Sequence, residues 1–212
     1  MELNKIYHGN CLDLIKQFDE TPKLIILSPP DLAETQYSIT EYKGFLNQIY
    51  NECINKLDQN GVLASITTDR KINGSIYTKH IDIINSIKDK ANLFNYKIWT
   101  KSLSTNLYIL NYSHMLFFRK SDKITNNKIK EFFPDVWVIE RDKIKGYKNK
   151  DSFPTELVRR IIINFTNEND LVLDPFIGSG KTGKVASDLN RNFIGFEIDE
   201  NNIKIANKLI DE

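Results

Sequence analysis

"DLVLDPFIGSGKTG", residues 170 to 183, decides the fold. Residues 170 to 174 read as a buried strand and 180 to 189 as a helix, so a glycine-rich loop joins a strand end to a helix N-terminus. A P-loop requires Gly-x-x-x-x-Gly-Lys-Ser/Thr, and Gly180-Lys181-Thr182 supplies its tail. The first glycine of that pattern would fall on Pro175, and proline has no N–H to offer a phosphate. Gly178, Gly180 and Gly183 also spell Gly-x-Gly-x-x-Gly, with Glu197 at the end of the next apolar run, where a ribose diol is gripped in dinucleotide sites. That reading is strained by Asp-Pro-Phe-Ile, which separates the strand from the glycines, and by the single strand read after it.

Outward from the loop, strands and helices alternate. "KLIILS" (23 to 28) is a continuous apolar run, as a strand buried on both faces should be. Residues 41 to 58 carry Phe45, Ile49, Cys53 and Leu57 at helical spacing before "QNG" breaks the pattern. "VLASIT" (62 to 67) reads as a strand, 78 to 90 as a helix, and "NLFNYKIWT" with "SHMLFFRK" as an antiparallel pair. From 120 to 150 the pattern dissolves into polar sequence around the apolar island "FFPDVWVI", where Trp137 or Phe132 is expected to form a local mini-core. A helix over "FPTELVRRIIINF", the strand "NFIGFE" and a helix over 200 to 210 complete the reading. The expected fold is α/β: a doubly wound, Rossmann-like sheet, mostly parallel with an antiparallel hairpin strand. One domain over 1–212 is expected, with 120–150 as a small insertion.

Composition excludes several classes. No apolar run is long enough to span a bilayer, and "MELNKIYHGN" lacks a signal-peptide core. Cys11 and Cys53 suggest no disulfide framework, which fits a cytoplasmic setting. His8, His80 and His114 show no ligand-like spacing, so no metal is expected. The net charge of +1 conceals a division: residues 119 to 150 hold ten Lys or Arg against five Asp or Glu, and residues 31 to 60 hold two against five. The basic stretch suits a phosphate backbone or, equally, a solvated mixed-charge surface.

An acidic residue at the strand end suits S-adenosylmethionine (SAM) better than a dinucleotide. Asp174 would approach its ammonium, Glu197 would take the ribose hydroxyls, and Phe176 would pack beside it. The alternative is an Asp174 that only caps the helix and a Phe176 that is only core.

At this point the chain resembles a known family. "LDPFIGSGKTG" looks like the SAM-binding motif of the DNA amino-methyltransferases, with Lys181 where a Thr is common. "SPP" (28 to 30) resembles the family's catalytic Asp/Asn/Ser-Pro-Pro-aromatic motif, and its place before the SAM motif is the order of the permuted β group. "YHGNCLDLIKQF" (7 to 18) resembles that group's opening segment, with Asn10 where an acidic residue is usual, and "SHMLFFRK" its hairpin strand. The resemblance implies a cofactor site at Asn10, Cys11, Asp174, Phe176, Gly178, Ser179, Gly180, Thr182, Glu197 and Ile198. It implies catalysis at Ser28, Pro29, Pro30 and Asp31, on double-stranded DNA, in a restriction–modification setting.

An exocyclic amine is a poor nucleophile because its lone pair is delocalised into the ring. Ser28 Oγ and the Pro29 carbonyl would accept its hydrogens and hold the nitrogen in line with the methyl group, with the base flipped out of the helix. C5-cytosine chemistry needs a Pro-Cys pair, which is absent. Ser28 and "FPTEL" resemble the N4-cytosine subgroup; N6-adenine is the alternative target. Two other readings stay open: a SAM-binding subunit whose partner does the chemistry, and a nicotinamide-dependent oxidoreductase.

Two features qualify the expected activity. Lys143, Lys145, Lys148 and Lys150 are expected on phosphates, but the segment is short, so modest discrimination or help from a homodimer mate or partner subunit is expected. Asp31 stands where the family has an aromatic ring that stacks on the flipped base. The departure predicts slow methylation, relieved by Asp31→Tyr, unless Asp31 itself bonds the base or Tyr37 or Tyr42 swings in.

Overall fold

A computed structural model describes residues 1–100, 111–121, 130–131, 133–142, 144 and 152–212. In chain order the elements are β1 (Lys5–His8), α1 (Cys11–Leu14), β2 (Leu24–Leu27), α2 (Ile39–Lys56), β3 (Val62–Thr67), β4 (Arg70–Ile72), β5 (Ser75–Tyr77) and α3 (Lys79–Ile87). There follow β6 (Asn92–Thr100), β7 (Tyr112–Arg119), β8 (Val136–Val138), α4 (Thr155–Phe165), β9 (Leu171–Asp174), α5 (Lys181–Asp188), β10 (Asn192–Glu197) and α6 (Glu200–Asp211). Short 3-10 turns follow α1 and lie at Leu32–Glu34.

Eight strands form one sheet in the order β1-β10-β9-β2-β3-β7-β6-β8, and β7 alone runs against its neighbours. The mostly parallel, Rossmann-like sheet with its antiparallel hairpin strand is therefore as expected. Every residue of β2 and β3 is buried, because helices cover both faces. The period of two sorts each strand between two cores. Ile25 and Leu27 join Leu63 under α2 and α3, while Leu24 and Ile26 join Val62 and Ala64 under α4 and α5.

Two elements depart from expectation. Residues 70 to 77, unassigned by periodicity, form the β4–β5 hairpin, turned by Asn73 and Gly74 at φ 49° and 84°. Both positive values suit the tight turn that matches the twist of a hairpin. The island in "FFPDVWVI" is more than a local patch. Its residues 136 to 138 are β8, paired in parallel with β6, and Trp137 is only 1% exposed in the core beneath α4. Phe132 lies outside the described residues.

Trp137 therefore ties residues 133–142 to the main core. Trp137→Ala is expected to lower unfolding free energy by about 3–5 kcal/mol in urea melts, the usual cost of emptying so large a buried site. A loss under about 1 kcal/mol would mean that the segment packs independently.

Candidate functional site

The parallel pairing of β2 with β9 sets Leu24 beside Val172 and Ile25 beside Leu173. Their C-terminal ends therefore open side by side, delivering Ser28 and Asp174 to the same edge of the sheet. From β2 the chain moves one way to β3, and from β9 the other way to β10, so this edge is the topological switch point where α/β sheets open a crevice. A cleft of about 730 Å³ lies there. Ser28, Pro29, Pro30 and Asp31 line it together with Asn10, Cys11, Phe176, Gly178, Glu197 and Ile198. A smaller cavity of about 100 Å³ is lined by Ser28, Asp174, Phe176, Gly178, Ser179 and Thr182. All but one of the expected cofactor and catalytic positions meet at these two walls.

Gly180 is the exception. It sits at φ 84° as the N-cap of α5, and a Cβ there would lie 2.7 Å from Ala206 Cβ. Its place is explained by the close approach of α6, and the structure does not bring it to either wall.

Local hydrogen bonds hold the loop in shape. Asp174 Oδ1 accepts from the Phe176 N–H at 3.0 Å and Oδ2 from Thr182 Oγ1 at 2.6 Å. Burial pushes its carboxyl up to about 6, and these two bonds only partly oppose the shift. Glu197 Oε1 accepts from the Ile198 and Asp199 N–H groups at 2.9 and 2.8 Å. Both bonds fall on one oxygen, and among the described residues Oε2 has no hydrogen-bond partner. Asn10 caps α1 by accepting from the Leu12 N–H at 2.9 Å. Burial drives the Cys11 thiol up to about 12, so it stays protonated and contributes packing, not nucleophilicity.

Lys181, the departure from the usual loop, is buried and donates to Asp142 Oδ1 at 2.9 Å and to the Phe153 carbonyl at 2.6 Å. It joins the loop to the chain on either side of 145–151. Lys143, Lys145, Lys148 and Lys150, the expected phosphate contacts, lie outside the described residues.

Asp31 has partners that the sequence did not disclose. Its carboxylate is held between two cations, with Arg70 Nε 2.6 Å from Oδ2 and Lys79 Nζ 2.5 Å from Oδ1. The Lys79 side chain is only 4% exposed, so the carboxylate neutralises a buried charge. Asp31 also opens the 3-10 turn in a reciprocal capping arrangement with Glu34. Arg70 and Lys79 were not anticipated, because they lie 39 and 48 residues along the chain.

The rings expected near Asp31 differ in availability. Tyr42 is fully buried and donates to the Pro30 carbonyl at 2.5 Å, stiffening the Pro-Pro turn from below. Tyr37 is 43% exposed and lines the cleft, its ring 5.7 Å from Phe45, which meets Phe176 edge-on at 6.1 Å.

Two histidines come together despite their spacing. His80 Nδ1 donates to Asp69 at 2.8 Å, and His114 Nε2 lies 3.3 Å from the same carboxylate. Their rings stack 3.9 Å apart and 17° from parallel, and His80 Nδ1 and His114 Nε2 both face Asp69 Oδ2. The three side chains brace β7 against α3, and their ligand atoms lie within 4.8 Å of one another, close enough to hold a metal ion. The brace fixes the chain next to Arg70 and Lys79.

Comparison with known proteins agrees with this geometry. The family model described as DNA methylase matches residues 23–208. The type II methyltransferase M.BamHI of Bacillus amyloliquefaciens is 30% identical over 93% of this chain, which spans about half (55%) of its length. The type II methyltransferase M1.MboII of Moraxella bovis is 27% identical over 100% of this chain and 98% of its own. A putative DNA modification methylase from Thermus thermophilus, solved in complex with S-adenosyl-L-methionine, superposes with a TM-score of 0.77 at 24% identity, covering 97% of this chain and 93% of that one. With its crevice-forming sheet and a family match over most of its length, this chain belongs to the N6/N4 family of DNA methylases.

Proposed function

We propose that the chain transfers a methyl group from SAM to an exocyclic amine of a DNA base, with N4 of cytosine the favoured target. The carrying observation is that β2 and β9 open Ser28 and the Asp174–Thr182 loop onto one crevice. The order of "SPP" before "DPFIGSG" supports the permuted β group, and Ser28 with "FPTEL" supports cytosine over adenine.

The donor set fits SAM. The buried Asp174 carboxyl suits the ammonium, Glu197 Oε2 a ribose diol, and Phe176 the flat side of the nucleoside; Asn10 and Ile198 line the same wall. SAM supplies an electrophilic methyl on a sulfonium. The chain's own contribution is orientation: Ser28 Oγ and the Pro29 carbonyl accept the two amine hydrogens and turn the nitrogen lone pair toward the cofactor loop. The Tyr42 bond to Pro30 keeps that turn rigid. With Asp31 clamped, the stacking surface for the base falls to Tyr37, the exposed ring on the cleft wall. Residues 120–150, with Lys143, Lys145, Lys148 and Lys150 as the expected phosphate contacts, remain the candidate target-recognition segment.

Ser28→Ala is expected to leave SAM affinity unchanged in calorimetry and to lower tritiated methyl transfer to DNA at least tenfold, about 1.4 kcal/mol. Unchanged turnover would remove Ser28 from the chemistry, and no transfer by the wild type alone would favour a subunit whose partner does the work. Absence of SAM binding beside a response to NADPH would overturn the cofactor.

Asp174 gives affinity a pH dependence. Below about 6 its carboxyl is protonated and offers no charge to an ammonium, so SAM affinity should rise as pH climbs through about 6 and level off above. Asp174→Asn should flatten that profile and cost about 1.5–3 kcal/mol of binding above it. Without ligand the sign reverses. A carboxyl raised from its ordinary 3.8 to about 6 makes the fold lose stability as pH rises across that interval.

Asp31→Tyr is now expected to reduce turnover, contrary to the expectation from the motif. Removing the carboxylate strands Lys79 and should lower stability by about 3 kcal/mol in urea melts. A faster, equally stable variant would show that the clamp is dispensable.

A further inference from the structure

The β4–β5 hairpin leaves the sheet immediately past the cleft. Only Thr68 and Asp69 separate it from β3, so it rises from the strand next to the one that carries Ser28. Its base is pinned. Arg70 bonds Asp31 on the cleft wall, and Tyr77, paired with Arg70 across the hairpin, packs edge-on against Tyr42 at 6.3 Å.

Its tip is different. Lys71, Asn73, Gly74, Ser75 and Ile76 are exposed, and a Cβ on Gly74 would meet nothing within 4 Å. Of the hairpin's residues only Tyr77 packs against either core, so the tip adds little to stability. Pairing puts Lys71 directly opposite Ile76, on the face turned away from Arg70 and Tyr77. Ile76 is 51% exposed there. Residues 70 to 79 carry three cations and no carboxylate; Arg70 and Lys79 both bond Asp31, and Lys71 is the cation at the exposed tip.

We propose that this hairpin is a duplex-DNA probe, its Lys71–Ile76 face entering the groove beside the base whose amine reaches Ser28. The inference rests on the methyltransferase reading above. A two-stranded ribbon fits the major groove, which is about 12 Å wide. Lys71 supplies a phosphate contact, and Ile76 an apolar edge against base steps loosened when the target leaves the stack. Arg70 and the Asp31 clamp fix the ribbon's angle relative to the catalytic turn. Duplex recognition and base placement thereby share one rigid joint.

The test uses the full chain and fluorescein-labelled sheared bacterial genomic DNA, either duplex or heat-denatured. Lys71→Gln/Ile76→Ser should bind duplex about tenfold more weakly in anisotropy titrations. The salt slope should fall by about one, as loss of one phosphate contact requires. Affinity for denatured DNA should change by less than about twofold, with melting temperature and SAM calorimetry as in the wild type, since both residues are exposed. Wild-type duplex affinity in the variant, or equal losses on both forms of DNA, would overturn the probe while leaving the methyltransferase reading intact. A wild-type chain that binds neither form and transfers no tritiated methyl group to either would overturn both.

Discussion

Two short parallel strands, drawn from distant parts of the chain, lie side by side: β2 against β9. Nothing local enforces that pairing. It exists because each strand is apolar on both faces and must be covered above and below by helices. Once the pair forms, both C-terminal ends point the same way, and the turns that follow them have to share a crevice. A rigid Ser-Pro-Pro turn and a glycine loop become neighbours through hydrophobic burial. Displacing β9 by one strand would leave both motifs intact and the site dissolved.

Around this pair the site is built from supports that face away from the crevice. Tyr42 braces Pro30 from beneath, Lys79 and Arg70 fix Asp31 from the side, and Asp69 with His80 and His114 anchors the chain next to those cations. Each support is an ordinary hydrogen bond or ion pair. Placed in series, they transmit the rigidity of the sheet to the few atoms that have to be positioned. Asp31 shows the consequence. A residue that breaks the motif's aromatic pattern becomes part of the frame, and six positions later Tyr37 lies exposed on the cleft wall.

The sequence disclosed what depends on local pattern. Apolar runs such as "LIIL" and "VLASIT" identified central strands, and the spacing of glycines with Asp174 and Glu197 identified the crevice loop. Two other short elements escaped, because runs such as "KIYH" and "VWV" carry too little periodicity to be distinguished from a loop. The hairpin did leave a signal, since Asn73-Gly74 is a strong turn dipeptide between alternating residues. The clamp on Asp31 left none. Partners dozens of residues away are assigned by the fold, and a carboxylate after Pro-Pro reads the same whether it faces solvent or a buried lysine.

Lys181 changes what the loop is mechanically. In place of a small hydroxyl, a long ammonium runs from the start of α5 to the carbonyl of Phe153 and to Asp142, which in turn caps α4 through the Thr155 N–H at 2.9 Å. Two helix N-termini on the same face of the sheet are thereby stitched through one cation. They cannot fray separately, because opening either exposes a buried charge. Residues at both starts should therefore exchange their amide hydrogens as a single cooperative unit, and anything that orders the glycine loop would slow exchange at the start of α4 as well.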